Sequence, residues 1–227
     1  MDLDKRLGED WYDELGQKYI TNVLSNIGYH IGIDRYNGKK VIPEAGSELT
    51  FKAFRLTPYN SVKVVIIGQD PYHTQGVFNG VVFGNVFPND PAGKIQPSLR
   101  NIIKELYISY GDDSVIDYSL YTWAGQGVLL LNTAHTVVTG DAGYHLDLWF
   151  PFTKRVFDVL NKKDDLIWML WGKKAQNYSK YIYNNTHTVL TAGHPSPLNR
   201  SDPFVGSGIF IKSDEILKTN KIKWVYE

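Results

Sequence analysis

Four short segments of this 227-residue chain carry side chains equipped for acid–base or hydrogen-bonding chemistry. They are Gly68-Gln69-Asp70-Pro71-Tyr72-His73, then Asn132, then Gly172-Lys173, then His194-Pro195-Ser196-Pro197-Leu198. Asp70 offers a carboxylate that can orient water or face a developing cation, although an Asp-Pro pair taken alone is also ordinary turn chemistry. His73 and His194 each have a plain reading as satisfied structural histidines. His194, however, is followed by two prolines within three residues, which stiffen its loop, and a stiff loop setting an imidazole beside a carboxylate is sound active-site construction. Asn132 supplies one acceptor and two donors to a ligand edge, or else bonds its own backbone. Tyr72 and Phe83 suit a core as well as a stacking surface. Leu198, between Pro197 and Asn199, is hard to bury and suits a wedge, though a lone exposed leucine needs no explanation. Ser98, Ser196 and Gly172 have hydroxyls and amides for phosphates, yet these types are common at helix starts and turns.

These segments need a scaffold, and its pattern is legible. Apolar runs at residues 62–67, 127–131, 166–171 and 188–191 have the length and composition of buried strands. Between them lie helical stripes. From residue 10 to about 31, Trp11, Leu15, Tyr19, Val23 and Ile27 recur at helical spacing. A second helix is expected over 44–57. Pro97-Ser98-Leu99 opens a third, with Leu99, Ile102, Ile103, Leu106, Tyr107 and Tyr110 on one face and Gly111 as its stop. Phe152, Val156, Val159 and Leu160 mark a fourth. Strands alternating with helices predict an α/β fold with a central four-stranded parallel sheet flanked by helices. Ligands bind such sheets at the carboxyl ends of the strands, where all four chemistry-bearing segments fall. No linker or repeat divides the chain, so one domain is expected over 1–227, with a helical segment at 1–57 and the motif-bearing core at about 58–227.

Composition narrows the options. Hydrophobic residues make up 43% and charged residues 21%, values of an ordinary folded domain rather than a disordered one. With no cysteine, disulfides, cysteine zinc sites and thiol catalysis are excluded. No signal peptide is visible at the charged start, and no apolar run approaches the roughly 18 residues of a membrane span. Lys plus Arg equals Asp plus Glu at 24 each, which argues mildly against a protein that coats nucleic acid and leaves room for a local groove. Asp70 and His73 lie three apart, but no His-x-x-x-His pair accompanies them and no second carboxylate lies in a strand-end segment. Neither a metal nor any other cofactor is expected.

In this order, the segments resemble the family 1 uracil-DNA glycosylases. The family's water-activating motif matches Gly68-Gln69-Asp70-Pro71-Tyr72-His73. Its Pro-rich loop resembles Gln96-Pro97-Ser98-Leu99-Arg100-Asn101, and its uracil-reading strand resembles Gly127-Val128-Leu129-Leu130-Leu131-Asn132. Its Gly-Ser loop is similar to Leu170-Trp171-Gly172-Lys173, and its intercalation loop to His194-Pro195-Ser196-Pro197-Leu198. The resemblance runs from about Ala53 to Trp224.

That resemblance implies an enzyme that flips uracil out of DNA and hydrolyses its N-glycosidic bond. It makes Asp70 and His194 catalytic, with Gln69, Tyr72, Phe83 and Asn132 around the base. Pro97, Ser98, Gly172, Lys173, Ser196 and Leu198 would contact DNA. The implied partners are single- or double-stranded uracil-containing DNA and a DNA-mimicking protein inhibitor; a monomer in the cytoplasm, or at a nuclear or viral replication site, is expected. Three departures stand out: Asn79 replaces a histidine, Lys173 a serine, and Tyr144-His145 a Ser-His pair, with Asn199 also in place of a serine. The competing readings are a glycosylase-like DNA-binding or assembly subunit, and a metal-dependent phosphoesterase using Asp70 and His73.

Overall fold

Three of the four apolar runs become strands with both faces covered, and the fourth forms an edge of the sheet. In the computed structural model, which describes residues 2–86, 95–199 and 203–226, the strands in chain order are β1 (Val41–Ile42), β2 (Val64–Gly68), β3 (Val128–Asn132), β4 (Val137–Val138), β5 (Ile167–Trp171) and β6 (Thr188–Ala192). Strands β3-β2-β5-β6 form one parallel sheet in that order, and β1 pairs with β4 in a separate antiparallel ribbon. β2, β3 and β5 are buried at every position, whereas β6 alternates partly covered and exposed residues, as an edge strand should. The expected sheet and its flanking helices are therefore present. The register sets Gly68 beside Asn132 and Trp171 beside Ala192, so the four segments emerge from one edge of the sheet.

The helices are α1 (Leu3–Leu7), α2 (Glu9–Leu15), α3 (Gln17–Tyr36), α4 (Lys52–Leu56), α5 (Pro97–Tyr110), α6 (Tyr121–Ala124), α7 (Leu146–Leu160), α8 (Lys173–Gln176) and α9 (Ile209–Leu217). α5 starts at Pro97, where the missing N–H has no partner to lose, and stops at Gly111, whose φ is +106°. One apolar core runs from Leu7 to Trp224 and takes side chains from the sheet, α5, α7 and the N-terminal helices. Each large apolar side chain sealed there contributes about 1.5–3 kcal/mol.

Two expectations need correction. The stripe read as one helix from residue 10 to 31 is two helices, α2 and α3, broken at Gly16 with φ +82°. Arg155 of α7 holds the break open, donating from Nε to Leu15 O at 2.8 Å and from its guanidinium to Glu14 O at 3.2 Å. The helical phase restarts there, so Ile20, Ile27 and Ile31 face the core and Tyr19 faces solvent. The helix expected over 44–57 is a turn and a short 3₁₀ segment, Glu48–Phe51, before α4. No pattern had singled out α1, α8, α9 or the β1–β4 ribbon.

Candidate active site

Asp70 leaves the end of β2 and is braced by the backbone of another segment. Its Oδ2 accepts the Gly143 N–H. Gly143 sits at φ +91°, where any side chain is strained, and a Cβ there would press on the Gln69 and Leu146 side chains at 3.2 Å, so glycine suits the position. The Gln69 carbonyl accepts Ala134 N–H at 2.8 Å and Thr133 Oγ1–H at 2.9 Å, which ties the Asp70 segment to the end of β3. Burial pushes the Asp70 carboxyl above its ordinary value; the Gly143 amide, the Gln69 side chain, His73 and Lys174 pull it partly back.

His194 follows β6 at the opposite side. Ser196 N–H donates to its Nδ1 at 2.9 Å. A backbone amide can only donate, so Nδ1 is the unprotonated nitrogen and the ring proton of the neutral imidazole is on Nε2. Burial holds the His194 pKa below its ordinary value, and the Lys174 ammonium lowers it further. The loop is anchored from α5: Asn101 Nδ2 donates to Pro195 O at 2.8 Å. Leu198, two residues past Ser196, is 89% exposed at its tip.

Between these groups lies a cavity of about 940 Å³. Gln69, Asp70, His73, Ser98, Gly172, Lys173, His194, Ser196 and Leu198 all line it, so the strand-end segments converge on one space. Pro97 is exposed at the start of α5 and does not line it. Gly172 serves differently from the expected amide contact. Its N–H is taken by Ala192 O at 2.9 Å, and a Cβ on it would strike the His194 side chain at 2.6 Å. Glycine there lets the imidazole pack against the β5 end.

Tyr72, Phe83 and Asn132 stand next to residues that line the cavity. Phe83 stacks on the wall residue Trp171 at 5.3 Å and meets His194 edge-on at 6.0 Å. Its φ is +61°, a conformation costing a bulky residue on the order of 1–3 kcal/mol, and Tyr72 O–H donates to its carbonyl at 3.0 Å. Asn132 is 4% exposed, and its Oδ1 has no hydrogen-bond partner. That oxygen is 2.9 Å from where a Cβ of Gly68 would be, and Gly68 lines the cavity. Val82 Cγ2 lies 2.0 Å from the same point, so the glycine leaves room for both groups beside the cavity. A buried, unpaired carbonyl oxygen costs about 1–3 kcal/mol, and a ligand N–H would satisfy it.

Several participants escaped the sequence reading. Gly143 is the second glycine of Gly140-Asp141-Ala142-Gly143, a turn with no chemistry of its own. Lys174 lines the cavity and donates to Gln69 Oε1 at 2.6 Å; its adjacency to Lys173 was the available signal. Of the departures, Asn79 is buried and braces the loop before Phe83, donating to Asn85 O and Ser119 O and accepting Val81 N–H. Lys173 is exposed, and Tyr144 packs beside Lys39. Among the described residues no three His, Asp or Glu side chains gather as a metal site would need, and no helix is long and apolar enough to cross a membrane.

Comparison with known proteins points to one family. The model of the uracil DNA glycosylase superfamily matches residues 54–217. A uracil-DNA glycosylase of Clostridium beijerinckii is 40% identical over 226 residues, covering 97% of each chain. The crystal structure of mimivirus uracil-DNA glycosylase is similar with a TM-score of 0.83 at 25% identity, over 99% of this chain and 89% of that one. A mimivirus UNG variant in complex with UGI gives 0.84 at 26% identity, over 99% and 91%.

Proposed function

The chain belongs to the uracil DNA glycosylase superfamily, and on that premise we propose that it removes uracil from DNA by hydrolysing the bond between uracil N1 and the deoxyribose C1′. A base inside the helix is out of reach, so it must be extruded, at a cost of a few kcal/mol. Leu198, on its braced loop, takes the vacated place and slows re-stacking. Ser98, Ser196 and Lys173 hold the flanking backbone; Gly172 shapes the wall beside His194, and Pro97 opens the helix that carries Ser98.

The bond parts toward an oxocarbenium-like sugar and a uracil anion. Asp70, ionised, faces the positive sugar and holds the water that adds to C1′. His194 donates its Nε2 proton as a hydrogen bond to uracil O2, an interaction that strengthens as negative charge arrives there. A neutral donor suits this task, and the Ser196 amide selects the tautomer that can perform it. The water oxygen ends on C1′ as a hydroxyl, its other proton passes to Asp70 and on to solvent, and the uracil anion takes up one proton from solvent, leaving free base, an abasic site and an ionised Asp70.

The observation that carries the reading is the unpartnered Asn132 Oδ1. Uracil presents a donor at N3 and an acceptor at O4, matching the Asn132 carbonyl and amide; cytosine reverses both. Sites built on such pairs discriminate by roughly 10⁴-fold or more. Phe83 stacks on the base, the Gln69 backbone contributes further contacts, and Tyr72 fills the space beside C5 that a thymine methyl would need. The same reading takes residues 1–227 as one domain acting as a monomer wherever the host keeps its DNA, the cytoplasm in a bacterium. It includes a DNA-mimicking protein inhibitor as a partner; the UGI complex of the mimivirus variant supports that.

The test is incubation with uracil-containing single-stranded DNA followed by hot alkali, with and without excess EDTA. Free uracil and strand scission, equal in both, are expected. DNA binding without release would instead favour a non-catalytic DNA-binding subunit, and release abolished by EDTA would favour metal-dependent chemistry.

A further inference from the structure

The hydrolysis described above leaves the N-terminal helices without a task, yet they reach the active site through one side chain. Asp34, in the last turn of α3, stands at the centre of a bonded network. Its Oδ2 is 3.0 Å from His145 Nε2, its Oδ1 accepts Lys39 Nζ at 2.6 Å, and Tyr144 O–H donates to the same oxygen at 3.2 Å. Lys39 also pairs with the Tyr144 hydroxyl and lies 4.2 Å from its ring centroid. On the other side of the imidazole, Thr136 Oγ1 is 3.0 Å from Nδ1 and accepts Trp149 Nε1–H at 2.8 Å.

The donors and acceptors close without remainder. The Asp34 carboxyl is held below its ordinary value: burial pushes it up, and the bonds from Lys39, His145 and Tyr144 more than offset that. As a carboxylate it only accepts, so His145 carries its proton on Nε2 and its Nδ1 takes the Thr136 hydroxyl. His145 and Thr136 are both buried. None of these groups lines the cavity.

What the network grips is the turn beside Asp70. Gly143, whose N–H donates to Asp70, immediately precedes Tyr144 and His145, the two residues bound to Asp34. The turn's other end is fixed by β4 on β1 and by Thr139 N–H donating to Lys40 O at 2.8 Å. The turn is therefore held at both ends by residues from the N-terminal region, and the amide aimed at Asp70 lies between the two grips.

We propose that Asp34 is a positioning residue for the glycosidic hydrolysis: by fixing Tyr144 and His145 it holds the Gly143 amide against Asp70 and so fixes the direction in which that carboxylate faces the substrate. The proposal rests on the role given to Asp70 above. Misplacing a reacting group by about 1 Å is enough to cost up to 10²-fold in rate, and one lost second contact should cost less.

The experiment compares wild type with Asp34→Ala, and with Asp34→Asn, whose carbonyl oxygen still accepts from His145. Asp34→Ala should lower kcat about tenfold with KM nearly unchanged, since nothing that touches DNA is altered. The acid limb of its pH–rate profile should move to higher pH, because Asp70 loses a donor to its ionised form while His73, Lys174 and, across the cavity, His194 stay in place. Asp34→Asn should shift both quantities in the same direction by less, and it serves alone if the alanine variant fails to fold. Amide NMR gives a readout independent of activity: Gly143 N–H should follow the titration of Asp70 in wild type and lose that response in Asp34→Ala. A folded variant with wild-type kcat, acid limb and Gly143 response would overturn the proposal. A wild-type protein that releases no uracil but shows the Gly143 coupling would instead refute the functional reading and leave the positioning contact standing.

Discussion

The strand-end loops and the N-terminal helices both converge on Asp70, and they do so by opposite means. At the sheet edge each functional group is a side chain placed directly by the strand that ends beside it. Asp70 and His194 follow β2 and β6, Asn132 ends β3, and the parallel register brings them together. In the N-terminal helices a few buried side chains pack the core, and a single carboxylate, Asp34, acts through two neighbours on a backbone amide. The first arrangement concentrates chemistry in motifs. The second disperses it, so that a region with no recognisable motif holds one donor of the catalytic site.

That contrast is open to attack by substitution. The largest effect should come at the sheet edge: Asp70→Asn should cost about 10³-fold in turnover, the range of a positioned acid–base group, while binding to uracil-containing DNA persists. Equal rates for mutant and wild type would remove Asp70 from the mechanism. Tyr72→Ala should begin to release thymine, since the ring beside C5 is gone and the strained Phe83 loses its carbonyl partner; complete rejection of thymine would sink the steric account. Leu198→Ala should lose about tenfold on duplex DNA and little on single strands, where there is no stack to replace. An equal loss on both would mean the exposed leucine is no wedge.

The pH dependence gives a smaller and more diagnostic effect. In the proposed mechanism turnover needs Asp70 ionised and His194 neutral. Burial raises the first pKa and lowers the second, so activity is lost on acidification as Asp70 takes up its proton at a pH above that of free aspartate. Lys174 lowers both; Lys174→Met should therefore move the acid limb to higher pH, and only slightly, an exposed charge being well screened. Lys174→Arg should restore it. On the N-terminal side, Ile20→Ala should leave kcat as it is and cost about 2–5 kcal/mol of stability by opening a cavity in the core, a loss read by denaturant unfolding. If Ile20→Ala slowed turnover in the folded protein, the whole N-terminal region, and not Asp34 alone, would be coupled to the site.

What could be read in advance follows the same division. The parallel sheet and the catalytic segments were legible because buried strands are continuous apolar runs and ligand sites sit at their carboxyl ends. The split between α2 and α3 was not, because Gly16 is tolerated within a helical stripe and the break depends on Arg155, well over a hundred residues away. Gly143 and Asp34 were equally hidden: one contributes an amide that every residue has, the other a carboxylate on an ordinary helix. Histidines show the limit of reading by type. His135 is buried, donates from Nδ1 to Thr50 O, and has its pKa pushed down to about 3 by burial; it is the opposite tautomer to His194 and lacks its access to the cavity.

One comparison reaches the centre of the account, the buried Asn132 oxygen waiting for an N–H. Release should be measured from three otherwise identical single strands carrying uracil, cytosine or N3-methyluracil at one position. The account predicts release of uracil and a loss of roughly 10⁴-fold or more for the other two, since one presents an acceptor and the other a methyl group where Asn132 needs a donor. Release of N3-methyluracil at the rate of uracil would contradict it.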